Sequence, residues 1–395
     1  MNDRSTSNRG NRLFYAGLLA FLPGACVPAP MPGDGTEPPP STYEFRLPQG
    51  FPTPVVPDDN PMTDEKIELG RHLFYDTRLS GNGLQACASC HIPEHGFAEP
   101  RTTAVGSTGQ VTARNAPGLA NAAYYSTYTW SSKLLLRFEQ QMLIPMFGED
   151  PIEMGITGNE DVVLERIRDD DRYTTLFAAA FPDDAGAFDF DHIVKAIACF
   201  LRTMIAGDSR WHRAIYQGED AALGDAARRG AELFFSERLE CHHCHGGFHF
   251  TQATRHDGTV FQEGSFHNIG LYNVNDEGGY PPSDTGLLKF TGDPNDMGKF
   301  RAPSLQNVAA TAPYFHDGSA ATLRDVIAVY EAGGRLLESG PNAGDGRTNP
   351  LKSGFIRGFT LTDSERDDLI AFLESLTDDR FLSDPRFGNP FEQEP

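Results

Sequence analysis

Residues 87–91 read CASCH and residues 241–245 read CHHCH. Each pentad sets two cysteines three positions apart and puts a histidine directly after the second. Four of the six cysteines are thereby accounted for; Cys26 belongs to the N-terminal leader, and Cys199 lies in an apolar helical run, where a buried free thiol is the ordinary outcome. Four thiolates can close a tetrahedral zinc site. A C-x-x-C pair can also cycle as a redox disulfide, but neither pair here sits in the βαβ pattern of such motifs. The adjacent histidine separates the readings. C-x-x-C-H attaches c-type haem: two thioethers hold the vinyl groups and the histidine supplies the proximal iron ligand. Histidine makes up only 12 of 395 residues, so its place after both pairs has chance odds of about one in a thousand. The spacing therefore predicts two covalently bound haem c groups, one on Cys87, Cys90 and His91, the other on Cys241, Cys244 and His245. His242 and His243 read as spacers, because the two thioethers bring only the ring of His245 under the iron.

Covalent haem attachment in bacteria takes place outside the cytoplasm, and the N-terminus fits export. Arg4, Arg9 and Arg12 precede the apolar run LFYAGLLAFL, which is too short to span a bilayer and ends at PGAC. Simple signal cleavage and lipidation of Cys26 both stay open, the second giving a membrane anchor. Residues 27–57 carry ten of the 28 prolines, so 27–60 is expected to trail as an extended tether. The net charge of −22 excludes nucleic acid as a partner and favours a protein with a basic patch.

An internal repeat leads into each pentad. KIELGRHLFYDTRLSGNGLQACASCH and AARRGAELFFSERLECHHCH share a helical pattern in which Gly70 and Phe74 match Gly230 and Phe234. Glycine at that place lets another backbone approach, and the aromatic fills a core. Elsewhere apolar residues recur at helical spacing, as in FDHIVKAIACFLRTMIAG, and Thr362 and Glu365 are spaced as a capping box. The expected fold is all-α: two helical domains, one around each pentad, with little β-structure. The boundaries are a signal over 1–26, a tether over 27–60, domains over 61–215 and 216–385, and a tail over 386–395.

With two such sites on one exported chain, GRHLFYDTRLS, ARNAPGLANAAYY, FEQQMLIPMFGEDPIEMG, FHNIGLYNV and FRAPSLQNVAATAPYFHDGSAATLRDVIAVYEAGG together resemble the bacterial di-haem cytochrome c peroxidase and MauG family. The resemblance implies two cytochrome c-like helical domains, each with one covalent c-type haem, and that the His91 haem meets hydrogen peroxide. Many peroxidase members close that face with a histidine where this chain has Ser107, so the first haem is expected to stay open. The second haem's far ligand is methionine in the peroxidases and tyrosine in MauG, and the matching position is Tyr330. All eight methionines lie at or before Met297, so the last 98 residues supply none. His267 and His316 are the competing ligands. A phenolate is hard and anionic and stabilises the higher iron oxidation states, whereas a thioether favours ferrous iron.

Gln141 and Pro145 match the family's peroxide pocket, and Glu153 matches its acid–base carboxylate, two residues beyond the usual spacing; Glu149 competes for that role. Trp130 matches the tryptophan between the haems, while Trp211 has no counterpart and reads as packing. Asn115, Thr311 and Pro313 match the ligands of one calcium ion, held through hard oxygen atoms. The longer loop, Tyr330 and YEAGGR look most like the MauG-like enzymes of methanobactin operons (MbnH). That likeness implies peroxide-driven formation of a bis-Fe(IV) state and oxidation of a tryptophan, to kynurenine, on a copper-binding partner protein. The alternatives are peroxide reduction with electrons from a small cytochrome or cupredoxin, and a non-enzymatic di-haem electron carrier.

Overall fold

A computed structural model of the chain describes residues 43–184, 188–261 and 265–392. The export signal, Cys26 and the first part of the tether lie outside the described residues. The secondary structure is helical, with eleven α-helices among the described residues: α1 Asp64–Tyr75, α2 Phe138–Phe147, α3 Glu160–Arg168, α4 Asp171–Ala180, α5 Phe190–Arg202, α6 Arg210–Tyr216, α7 Asp225–Phe234, α8 Leu288–Thr291, α9 Leu323–Ala332, α10 Asp363–Glu374 and α11 Asp379–Leu382. Strands are confined to two antiparallel pairs of two-residue pieces, Phe266–His267 with Phe300–Arg301 and Leu336–Leu337 with Gly344–Asp345.

The repeat read around the pentads is the organising unit of the fold. In the first half, α1 begins at Thr63, whose side chain accepts from the Lys66 N–H. It crosses the buried helix α5 at Gly70, where an added Cβ would lie 2.0 Å from the Ala196 carbonyl oxygen. In the second half α7 crosses α10 at Gly230, where a Cβ would lie 1.9 Å from the Asp368 carbonyl oxygen. Both glycines are there because two helix backbones touch. The capping box of Thr362 and Glu365 opens α10, and Leu369, Phe372, Leu373 and Leu376 are buried against the second core.

The repeat also continues beyond the pentads. APGLAN at 116–121 and APSLQN at 302–307 form equivalent loops. Each ends on a fully buried asparagine in the left-handed region, Asn121 at φ 59° and Asn307 at φ 60°. Asn121 N–H donates to the Met204 carbonyl just after α5, and Asn307 N–H donates to the Leu376 carbonyl just after α10. Each loop thus ties a pentad's surroundings to the end of the helix that crosses the pentad's leading helix.

Two segments depart from expectation. From Phe51 onward the proline-rich stretch is packed rather than trailing: Phe51 and Asn60 are buried, the Pro52 carbonyl accepts from the Tyr124 hydroxyl, and the Thr53 carbonyl accepts from the Asp257 N–H. Proline removes a donor but keeps its acceptor, so such a segment can be held by side-chain and backbone donors from the body. The end of the expected second domain and the start of the expected tail, residues 379–392, fold back onto the first half. Phe381 and Phe387 are buried there, Phe381 packs against Phe97 at 5.8 Å between ring centroids, and the Tyr75 hydroxyl donates to the Phe387 carbonyl.

Candidate haem sites

Both pentads fold into the same tight turn. The N–H groups of Cys90 and His91 donate to the Cys87 carbonyl, and those of Cys244 and His245 donate to the Cys241 carbonyl. All four cysteines are free thiols. Burial raises them, to about 12 for Cys87 and Cys241 and to about 11 for Cys90 and Cys244.

The histidines repeat the same arrangement. His91 Nδ1 lies 2.8 Å from the Phe97 carbonyl oxygen, with the Pro117 carbonyl also facing the ring. His245 Nδ1 lies 3.2 Å from the Phe250 carbonyl and 3.1 Å from that of Pro303. A carbonyl can only accept, so Nδ1 carries the proton and Nε2 is the ring's ligand atom. Burial lowers both imidazoles, His245 to about 4, which keeps them neutral as iron ligands must be. Pro117 and Pro303 occupy equivalent places in the APGLAN and APSLQN loops. These carbonyls were not foreseen from the sequence, although the repeated A-P-x-L-x-N was there to be read.

A cavity of about 230 Å³ opens beside the second pentad. Cys241, Cys244, His245 and Tyr330 line it, together with Leu323, Ile327 and Leu373. A mostly apolar hollow with two cysteine sulfurs, the His245 ligand atom and three tyrosines, Tyr125, Tyr314 and Tyr330, fits a covalently attached haem. Tyr330, near the C-terminal end of α9, is raised above the usual phenol value by burial and then by Cys244 and Cys241, so these sulfurs are its electrostatic neighbours. Among the described residues no methionine lines this cavity. His267 and His316 line it too, but both rings are engaged: His267 Nε2 lies 3.0 Å from Gln252 Oε1, and His316 stacks on Phe300 at 3.6 Å with Asp284 3.5 Å from its Nε2.

Of the three peroxide-pocket candidates, Glu153 is the one that interacts with Cys90 of the first pentad. Gln141 and Pro145 lie on α2, and the chain then loops back so that the Met154 N–H donates to the Pro145 carbonyl. That return sets Glu153 beside Cys90, whose thiol its charge helps to raise. Burial alone raises the Glu153 carboxyl above its ordinary value. Glu149, by contrast, is exposed. Ser107 lies alongside, its N–H donating to the Glu153 carbonyl at 2.7 Å. A second carboxylate near Cys90, Glu99, is fully buried and paired with Arg101 at 2.7 Å.

Trp130 stands where the halves meet. Its Nε1–H donates to the Asn115 carbonyl at 2.8 Å, the Asn115 N–H donates to the His316 carbonyl, and its ring meets that of His316 edge-on at 6.4 Å. Asn115, Thr311 and Pro313 line the same cavity as Trp130. The Asn115 Nδ2 is committed to the carbonyls of Glu99 and Arg101, so a hard cation there would be met by Oδ1. Trp211 is wedged among Phe235, Phe250 and Phe372, the packing role read from its sequence context.

Two turn-borne c-haem attachment sites in a helical repeat, one of them beside a buried carboxyl, define a di-haem oxidoreductase. Residues 64–221 match the family described as di-haem cytochrome c peroxidase. The chain is 33% identical over 371 residues to the cytochrome-c peroxidase IdrP1 of Denitromonas iodatirespirans, covering 87% of this chain and 90% of that one. It is 32% identical over 336 residues to the methylamine utilization protein MauG of Methylorubrum extorquens, covering 84% and 83%. The solved structure of a MauG-like protein associated with microbial copper homeostasis superposes with a TM-score of 0.86 at 49% identity, covering 88% of this chain and 99% of that one. The chain belongs to the di-haem cytochrome c peroxidase and MauG family, haem-dependent oxidoreductases that act on hydrogen peroxide by electron transfer.

Proposed function

We propose that this protein is a MauG-type enzyme that spends the oxidising power of hydrogen peroxide on a residue of a partner protein. The observation that carries the reading is Tyr330 on the wall of the second cavity, beside Cys241 and Cys244, with no methionine among the described residues that line it. When bound, the haem at His91 supplies the iron at which peroxide is reduced, and the haem at His245 shares the oxidising equivalents. His91 and His245 hold neutral rings toward the irons through their carbonyl-bound Nδ1 atoms. Glu153 takes the proton from the peroxide oxygen nearer the iron and delivers it to the far oxygen, which leaves as water. Its burial suits the task, since a carboxyl raised toward neutrality can both accept and release a proton. Gln141 and Pro145 shape the same pocket. Trp130 carries electrons between the sites, its indole fixed by the Asn115 carbonyl. Tyr330 would supply a hard oxygen donor to the second haem's iron, one that favours its oxidised states. Asn115, Thr311 and Pro313 would hold one calcium ion.

The partner is a protein, because a side chain on a folded surface can be oxidised by electron transfer without entering a peroxide-sized pocket. The resemblance to a MauG-like protein associated with microbial copper homeostasis supports a copper-related partner; the residue oxidised is proposed to be a tryptophan, converted to kynurenine. The N-terminal signal supports a periplasmic location, with Cys26 as a candidate lipid anchor. The second reading is a cytochrome c peroxidase that takes electrons from a small cytochrome or cupredoxin, and the names of relatives such as IdrP1 favour it.

The readings part at the second haem. Peroxide added to the diferric protein, followed by near-infrared and Mössbauer spectroscopy, is expected to give a long-lived two-electron-oxidised state spread over both sites. Tyr330→Met is expected to raise the second haem's potential and shorten that state's lifetime. A wild-type second haem that is reduced readily at high potential in an anaerobic titration decides for the peroxidase.

A further inference from the structure

His242 and His243, the spacer residues of the second pentad, have no part in holding the haem. The turn Cys241–His243 nevertheless points both rings the same way, with centroids 4.2 Å apart. Facing them is Glu237, from the turn that follows α7. Its Oε1 lies 3.6 Å from His242 Nε2 and its Oε2 lies 3.4 Å from His243 Nε2. The three ligand atoms lie within 4.8 Å of one another, and among the described residues this is the one group of three or more His, Cys, Asp or Glu side chains that converges in this way.

We propose that Glu237, His242 and His243 form a surface binding site for one divalent transition-metal ion, with Cu(II) held most tightly and Zn(II) next. Two imidazole nitrogens and one carboxylate oxygen are the donor set that borderline metals prefer, whereas calcium and magnesium take all-oxygen shells. Bonds of about 2.0 to 2.2 Å require the three donors to draw together slightly. Glu237 can do so, because its side chain is 79% exposed and unencumbered by packing, while the histidines are only 24% and 32% exposed. The rings are already fixed: His243 stacks on Phe355 at 4.8 Å, and His242 leans on Phe235. The backbone beneath them is clamped by the Cys244 and His245 N–H groups on the Cys241 carbonyl. Three protein ligands at a partly exposed place leave positions for water, so the ion is exchangeable. His242 Nδ1 is buried without a hydrogen-bond partner, so this ring lacks the outer acceptor that strengthens tight sites. The site is therefore one for a labile ion beside the second haem, separate from any calcium held at Asn115.

The test uses the holoprotein, stripped of adventitious transition metal and kept in excess calcium. Zn(II) binding is followed by calorimetry and Cu(II) binding by electron paramagnetic resonance. One equivalent of each is expected to bind saturably, with coupling from two nitrogens in the copper spectrum. Glu237→Gln is expected to weaken binding by about tenfold or more, and His243→Gln by at least as much with loss of one nitrogen coupling. No saturable equivalent in the wild type, or unchanged affinity and couplings in both variants, overturns the proposal. The haem absorbance reports whether the pentad is intact; should His243→Gln fail to load haem, Glu237→Gln lies outside the pentad and decides alone.

Discussion

Two carboxyls stand near the Cys90 sulfur, and their partners separate their roles. Glu99 is locked to Arg101, both of its oxygens accepting from that guanidinium, and so is already committed to a partner. On Glu153 only burial acts, and burial favours the neutral form, so the carboxyl titrates above its ordinary value. The base form is the carboxylate. The rate constant for reaction with peroxide is therefore expected to rise with pH through a window above the usual carboxyl value, read by stopped-flow haem absorbance. Glu153→Gln is expected to slow that step by about 10²- to 10⁴-fold and to flatten the profile. The linked stability effect has the opposite sense: a raised folded value adds stability below the unfolded value and loses it as pH rises through the folded one. Glu153→Gln should accordingly unfold at higher denaturant than wild type on the alkaline side. A profile unchanged by this substitution would assign the proton transfer elsewhere.

At the scale of elements, the structure turns on two helix crossings. α1 with α5 and α7 with α10 each meet at a glycine, with no room between backbones for a methyl group. Helix propensity alone would make alanine the better residue by about 1 kcal/mol. The contact reverses that sign: Gly230→Ala is expected to cost about 3 kcal/mol through forced separation of α7 and α10, seen as a lower urea midpoint of the holoprotein. A neutral or stabilising result would mean that the helices slide apart freely. The glycine-to-pentad repeat was legible because a backbone contact leaves glycine as its only solution. The A-P-x-L-x-N loops were less so, since what repeats there is a carbonyl position, and carbonyls leave no mark on residue identity. Glu153 was preferred over Glu149 from its neighbours in sequence; the loop returning to Pro145 leaves Glu153 half-buried and Glu149 exposed, a difference that no spacing shows.

Across the whole molecule the ends of the chain matter more than their composition suggests. Phe381, in the last helix α11, packs on Phe97, whose carbonyl holds His91 Nδ1. The C-terminus thereby backs the first haem site. Phe381→Ala is expected to cost about 3 to 5 kcal/mol and, on heating, to release the first haem's native spectrum before the second's. Simultaneous loss of both would place that coupling elsewhere.

The sequence by itself determined the chemistry of attachment, the helical class and the two-fold repeat, because covalent haem sites and touching backbones each demand particular residues at fixed spacing. Only the tertiary structure decided that Glu153 is half-buried near Cys90 while Glu149 is exposed, that Tyr330 shares a cavity with Cys241 and Cys244, and that residues 51–60 and 381–387 are packed. Burial and proximity arise from contacts between residues far apart in the chain, and no local spacing records them.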